Sequence, residues 1–436
     1  MRILLISANT EPFPEPVFPI GAVYVANTLQ EAGAAVRIID MRLTNSGTSL
    51  RKELKAFRPD RIGISLRNVD NAAYPCTRFY LPSYAALIKS LRDCCNAPVI
   101  LGGAAFSLFP GEIAAYLGAD GGVKGEGEGA IKVFLGQGHE GIITSCLPDL
   151  DNVAFPRDIN ALFEGFRRYH TMGIQTARGC PNQCIYCTYP GLEGRALRTR
   201  TPERVAGEIA MLHKDFKIRD FFIVDSLFNA DEGHMVRVLE AIAALNLRLR
   251  ISCYIQPKVS DPGIFSLMNK AGCVAVDFGT DSGSPAMLTS LRKPFTGDDI
   301  RRASLACKDA GIDFCHSLIL GGPGETPETI RETVSLMDEV SPRAVIAMTG
   351  VRIYPGTEME RVAIEQGKHA AGESLLEPQF YFPDMGPSAL LKCAYEGAAG
   401  RKNWFFPGKR HWGSAIGFKV LNFLYRKGPL WRTFRK

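Results

Sequence analysis

Three cysteines stand within eight residues of this 436-residue chain. Cys180, Cys184 and Cys187 lie in Arg178-Gly179-Cys180-Pro181-Asn182-Gln183-Cys184-Ile185-Tyr186-Cys187, a C-x3-C-x2-C spacing. A loop of that spacing can wrap three irons of a cubane and leave the fourth iron without a protein ligand; cysteine thiolates are the usual holders of such clusters. An open iron can chelate the amino and carboxylate groups of S-adenosylmethionine. One electron then cleaves a carbon–sulfur bond, chemistry that belongs to the cofactor while the protein positions it. The competing reading is a zinc knuckle. Zinc sites usually complete four ligands with paired C-x2-C spacing or histidines, and no Cys or His falls between 188 and 212. The spacing therefore favours a [4Fe-4S] cluster.

The elements around this loop read as two α/β series. Apolar runs at 2–7, 35–40, 61–66, 98–101 and 121–124 alternate with helical patterns, which predicts a parallel, doubly wound (Rossmann-like) domain over residues 1–140. Ligands of such sheets sit at the carboxyl ends of the strands. Residues 141–170, broken by Pro148 and Pro156, read as a linker. A second series starts near Thr171, with strands expected at 173–177, 221–225, 250–255, 274–279, 314–320 and 344–353. Six βα repeats over 171–360 predict a partial (β/α)6 TIM-type barrel. The cysteine loop follows its first strand, where barrels of this type carry their active sites. Residues 361–436 are expected to form a small C-terminal helical region.

On these residues the chain resembles the radical S-adenosylmethionine superfamily. Tyr186 before the last cysteine fits the pattern. Phe221–Phe228 looks like the second-strand motif, with Asp225 at the strand end. Phe278-Gly279-Thr280-Asp281-Ser282-Gly283-Ser284 resembles a fourth-strand segment in which Asp281 replaces a glutamate. Leu320-Gly321-Gly322-Pro323-Gly324-Glu325-Thr326 resembles the fifth-strand end near the adenine, and Tyr354-Pro355-Gly356-Thr357 the sixth. The resemblance implies that Tyr186, Asp225, Asp281, Ser282, Gly321 and Gly322 bind S-adenosylmethionine. An α/β domain ahead of such a barrel resembles the cobalamin-binding domain of the B12-dependent members, a group that includes hopanoid methylases and an anaerobic tetrapyrrole cyclase. That implies cobalamin at Ser65, Arg67, Gly102, Gly103, Gly125, Glu126 and Gly127. The loop after the first strand lacks the histidine of cobalt-ligating B12 domains, and the first histidine of the chain is His139.

The resemblance implies an enzyme, C-methylation of an unactivated carbon being the leading outcome. Radical cyclisation, oxidation or rearrangement without methyl transfer is the second reading, and a non-catalytic cobalamin- or redox-responsive protein the third. An external one-electron reductant is implied. Cys76, Cys94, Cys95 and the other scattered cysteines do not supply the second cluster of a methylthiotransferase.

Charge bears on the partner. Residues 401–436 hold ten of the 51 Lys and Arg and none of the acids, leaving 41 basic against 45 acidic residues elsewhere. A basic tail argues for a local anionic partner rather than nucleic acid. All three tryptophans, Trp404, Trp412 and Trp431, lie in that tail, and Ala415–Tyr425 places apolar residues at helical spacing beside Lys419 and Arg426. That is the composition of a helix lying in a bilayer interface. Nine scattered cysteines beside the three clustered ones, and no signal peptide or membrane-spanning run, lead to the expectation of a cytoplasmic protein, peripherally membrane-bound through 401–436, that takes a lipid or other small-molecule substrate.

Overall fold

The computed structural model describes residues 1–11, 16–44, 47–136, 141–409 and 429–433. They form two compact units. The first comprises Met1–Asn71 and Phe79–His170. Its sheet has six parallel strands: β1 (Arg2–Ser7), β2 (Ala35–Asp40), β3 (Arg61–Ser65), β4 (Val99–Gly102), β5 (Gly121–Lys124) and β6 (Gly141–Thr144), in the order β2-β1-β3-β4-β5-β6. Ile3, Leu4, Leu5 and Ile6 of β1 are all buried, as expected of a strand covered on both faces. The order reverses between β1 and β3, the switch point at which open α/β sheets bind ligands.

Residues 141–170 are not the connector that their prolines suggested. They supply β6 and then lay aromatic side chains back into the first unit. Phe18 packs on Phe155 and Tyr169, with ring centroids 5.9 and 5.4 Å apart, and the Tyr169 hydroxyl donates to Asp40 at the end of β2. Scattered aromatics without periodicity carry no strand or helix signal, although Phe155, Phe163, Phe166 and Tyr169 are all buried.

The second unit comprises Ala72–Arg78 and Thr171–Lys436. Its parallel sheet contains the six expected strands, β7 (Thr171–Ile174), β8 (Asp220–Ile223), β9 (Arg250–Ile255), β10 (Cys273–Asp281), β11 (Asp313–Leu320) and β12 (Ala344–Thr349), in sequential order. A short seventh strand, β13 (Trp404–Phe405), pairs with β12 at Val345 and Ile346. Among the described residues β7 and β13 are edges, so the barrel is partial. One face, with Phe221, Ile223, Ile251, Val276, Phe278, Phe314, Leu318 and Val345, is buried. The other is concave and partly open, and carries Phe222, Tyr254, Asp277, Ser317, Ile319, Ile346 and Met348 in register. The segment Ala72–Arg78 belongs here through Tyr74, whose ring packs 4.7 Å from that of Phe382 and whose carbonyl accepts from the Thr349 hydroxyl at 3.0 Å.

Two of the three tail tryptophans pack on this sheet. Trp404 lies in β13. Trp431 is 7% exposed and packs on Ala275, Cys315 and Ala344, near the N-terminal ends of β10, β11 and β12. Arg432 beside it pairs with Asp313 at 2.8 Å and accepts from Arg343 through its carbonyl. The membrane helix expected at Ala415–Tyr425, and Trp412, lie outside the described residues. No described helix is long and apolar enough to cross a membrane.

Trp431 therefore acts as a floor for the concave face. Trp431→Ala should cost about 3–5 kcal/mol, the usual range for a large buried aromatic, read as a lower urea midpoint. An unchanged midpoint would mean that the tail is not seated on the sheet in solution.

Candidate active site

The cysteine loop leaves β7 through Gln175–Arg178. Asp225, two residues past β8 and 2% exposed, accepts from the Thr176 and Ala177 amides at 2.7 and 3.1 Å and from the Thr176 hydroxyl. Its pKa is raised to about 6 because burial outweighs these donors. Arg200, in a buried ion pair with Glu208 at 2.7 Å, donates to the Gln175 carbonyl at 3.0 Å. Both acids thus fix the strand end from which the loop departs.

Gly179 opens the loop at φ +99°, and a Cβ there would meet the Ala196 carbonyl oxygen at 2.3 Å. Its amide donates to Glu193, and its carbonyl accepts from Ser226. Asn182 donates to Gln256 at 3.0 Å. The Ile185 amide donates to the Leu291 carbonyl, and its own carbonyl accepts from the Met359 amide at 2.8 Å. The loop is thereby tied to segments following β8, β9, β10 and β12. Met359 lies in the first turn of the helix Glu358–Glu365, which Thr357 caps; the expected Tyr354–Thr357 motif is that cap and its turn.

Cys180 is buried, Cys184 and Cys187 are half-buried, and none is in a disulfide. Burial pushes all three thiols up, Cys187 to about 12, while Lys293 pulls each of them down. Thiolates in such a place form when a metal displaces their protons. Among the described residues no three His, Cys, Asp or Glu converge as ligands of one metal ion do.

Asp281 ends β10 at φ +64°, where the register with β11 shifts. The irregularity turns its carboxylate toward Lys293, 2.7 Å away, and the Tyr186 hydroxyl donates to the same oxygen. Lys293 and Asp281 have side chains only 7% and 5% exposed. Burial alone would pull the Lys293 pKa down; Asp281 and Cys184 outweigh it and raise the pKa above its ordinary value. Tyr186 and Asp281, both expected to contact S-adenosylmethionine, are bonded directly, and both also meet Lys293, which carried no sequence signal, since these partners are 107 and 12 residues away.

Two other expected ligands lie differently. Ser282 is fully buried and its hydroxyl is shared with Thr333 at 2.9 Å, so it braces the turn onto the helix Pro327–Val340. Asp225 is equally committed to the chain. Gly321, at φ +110°, leaves no room for a Cβ against Leu390 and the Gly350 amide, and its own amide donates to buried Glu325. Gly322 faces Leu291 and Met287, each 3.0 Å from a hypothetical Cβ.

In the first unit the expected cobalamin residues gather at the carboxyl ends of β3, β4 and β5. Ser65 ends β3 with exposed Arg67 beyond it, Gly102 ends β4, and Gly125–Gly127 follow β5. Their glycines are partly required by the fold itself. A Cβ on Gly103 would meet the Leu66 carbonyl at 2.6 Å, and one on Gly127 would meet Val25 at 2.7 Å. A Cβ on Gly102 would meet only a backbone oxygen, at 3.9 Å, so the fold itself does not require glycine there. Glu126 is buried. These strand ends carry no histidine, so a corrinoid here would receive no imidazole from them.

Residues 6–135 match the B12 binding domain and residues 174–337 the radical SAM superfamily. Tryptophan 2-C-methyltransferase of Streptomyces laurentii is 24% identical over 445 residues, covering 82% of this chain and 74% of the relative. Hopanoid C-3 methylase of Methylococcus capsulatus is 24% identical over 385 residues, covering 78% and 67%. The solved structure of the radical S-adenosylmethionine methyltransferase TsrM from Kitasatospora setae, with tryptophan and a SAM analog bound, has the same fold: TM-score 0.83, 22% identity, 99% of this chain and 97% of that one. This chain belongs to the B12-binding radical S-adenosylmethionine enzymes, whose cofactors are a [4Fe-4S] cluster, S-adenosylmethionine and cobalamin. A methyltransferase of Pyrococcus horikoshii is 25% identical over 397 residues, covering 84% of this chain and 83% of the relative.

Replacing Cys180, Cys184 and Cys187 with Ala should abolish the visible absorption of the anaerobically reconstituted cluster and all 5′-deoxyadenosine formation. Retained absorption would remove these residues as ligands. Asp225→Ala leaves the buried Thr176 and Ala177 amides without their acceptor, and should cost about 1–3 kcal/mol, the penalty of an unsatisfied buried group. Urea unfolding reads this, and an unchanged midpoint would show that Asp225 does not brace the loop.

Proposed function

We propose that this enzyme methylates an unactivated carbon of a largely apolar, lipid or isoprenoid-like substrate, using S-adenosylmethionine, cobalamin and the cluster on Cys180, Cys184 and Cys187. When bound, these groups supply the methyl group and a radical able to abstract hydrogen from carbon. The protein's part is placement. Asp225, Arg200 and Glu193 fix the start of the cysteine loop, and Lys293 sets a cation beside its thiols. The helix Pro327–Val340 braces the turn after β10, and Tyr186 is oriented by Asp281.

The observation that carries the apolar reading is the lining of the concave face. Phe222, Tyr254, Ile319, Ile346 and Met348 line it, all partly accessible, and apolar walls with a few placed polar groups are the usual composition of a small-molecule site. Similarity to a hopanoid methylase points the same way. Similarity to a tryptophan methyltransferase favours a second reading, an aromatic amino-acid-like substrate. Delivery from a membrane surface through residues 410–428 accompanies the lipid reading and rests on their basic, aromatic composition.

Trideuteromethyl S-adenosylmethionine tests both. The holoenzyme with a reductant and a total lipid extract should transfer label to an apolar product. Label in tryptophan offered in parallel would establish the second reading instead. 5′-Deoxyadenosine release with no labelled product from either would overturn methylation.

A further inference from the structure

We propose that Asp277 is the polar anchor of the substrate site, binding the hydrogen-bond-donating head, an ammonium or a hydroxyl, of an otherwise apolar substrate. The inference rests on the reading of the concave face as the substrate site and adds to it the chemistry of the substrate's head.

Asp277 sits in mid-strand on β10, a central strand. It pairs in register with Tyr254 of β9 and Cys315 of β11, and parallel register neighbours project from the same face. That face is the concave one. Asp277 is 8% exposed. Its Oδ1 accepts from the Ser317 hydroxyl at 2.8 Å, and no cation pairs with it among the described residues.

This departs from the treatment of other acids in the same unit. Asp220 is held by Arg250, Glu208 by Arg200, Asp281 by Lys293, and Asp225 by three donors. A buried carboxylate with one neutral donor costs stability rather than adding it. A purely structural role gives no reason to keep it, whereas a ligand that brings its own donor does. Burial raises its pKa to about 7, with Ser317 opposing.

Its height on the strand completes the case. Cys315, its register partner, and Ala275, two residues before it on the same face, both pack on Trp431. Asp277 therefore stands just above the floor of the concave face, with Ile319 and Met348 higher on the walls. Asp281, beside the cysteine loop, lies four residues further along β10. At the rise of a strand that is roughly 13 Å. The substrate's head would rest on Asp277 while its skeleton runs up the apolar wall toward the cluster.

The test uses the anaerobically reconstituted holoenzyme and two probes, n-octylamine and n-octanol, titrated calorimetrically. At least one should bind the wild-type protein at one site and weaken about tenfold or more in Asp277→Ala, the loss of one charge-assisted hydrogen bond. Asp277→Asn separates the two heads: it keeps an acceptor and should spare the alcohol, but loses the charge and should weaken the amine. Neither variant should melt below wild type. Failure of both probes to bind wild type, equal binding to wild type and Asp277→Ala, or a clear drop in melting temperature in both variants would each overturn the proposal. None of these results depends on methyl transfer, so the labelling experiment stands or falls separately.

Discussion

The Lys293–Asp281 ion pair is the interaction around which the cysteine loop is arranged. Both side chains are almost wholly withdrawn from water, where a charge without its partner is costly. Each makes the other's charge tolerable, and the pair is worth keeping only if its remaining hydrogen-bonding capacity is used. Tyr186 takes part of it, and Cys184 takes part of the ammonium's. A pair that joins the end of β10, the turn after the helix Pro285–Ser290 and the second and third cysteines fixes three separate segments at once. The left-handed backbone at Asp281 has its cause here. Without the irregularity at the end of β10 the carboxylate would lie along the strand instead of across to the loop, and Asp tolerates that conformation better than most residues.

Close approach explains more of the glycines than ligand contact does. In both units glycine-rich strand ends look like surfaces for a cofactor. Gly103, Gly127, Gly179 and Gly321 are held by their own chain, each with a protein atom where a Cβ would stand. Gly102 has room for a Cβ, so its own chain does not require glycine there. Glycine in these turns brings backbone segments close enough to bond to the protein's own side chains, the Gly179 amide to Glu193 and the Gly321 amide to Glu325.

The legible part of this molecule is the part whose determinants are local. C-x3-C-x2-C is a covalent spacing within one loop, and parallel strands buried on both faces write continuous apolar runs, so the cluster loop and all six barrel strands could be read directly. Asp225, Ser282 and Tyr186 were legible as candidates for the site, but that the first two brace the chain was not, because burial and long-range partners decide that. Lys293 was not legible, nor was the docking of residues 141–170, where four aromatics are spaced without a period. The tail was misread at Trp404 and Trp431 for a related reason. An aromatic beside a basic residue has the same composition whether it faces lipid or, as Trp431 and Arg432 do, a sheet and an aspartate at the start of a strand.

A partial barrel has a structural problem that this tail answers. A closed barrel fills its interior with layers of side chains, but a sheet open between β7 and β13 leaves a concave face whose lower end would admit water. Trp431 closes that end against three small residues, Ala275, Cys315 and Ala344, which together leave space for one large ring. Cys315 and Ala344 are register partners on adjacent strands, so the space is a property of the sheet rather than of one position. With the floor sealed, the polar groups on the concave face can be few, and Asp277 and Ser317 stand among apolar neighbours where a single hydrogen bond is strongest. The opposite end, where the cysteine loop lies, is left for chemistry. Sealing one end and equipping the other lets an open sheet serve as a reaction vessel without the strand closure that would fill it.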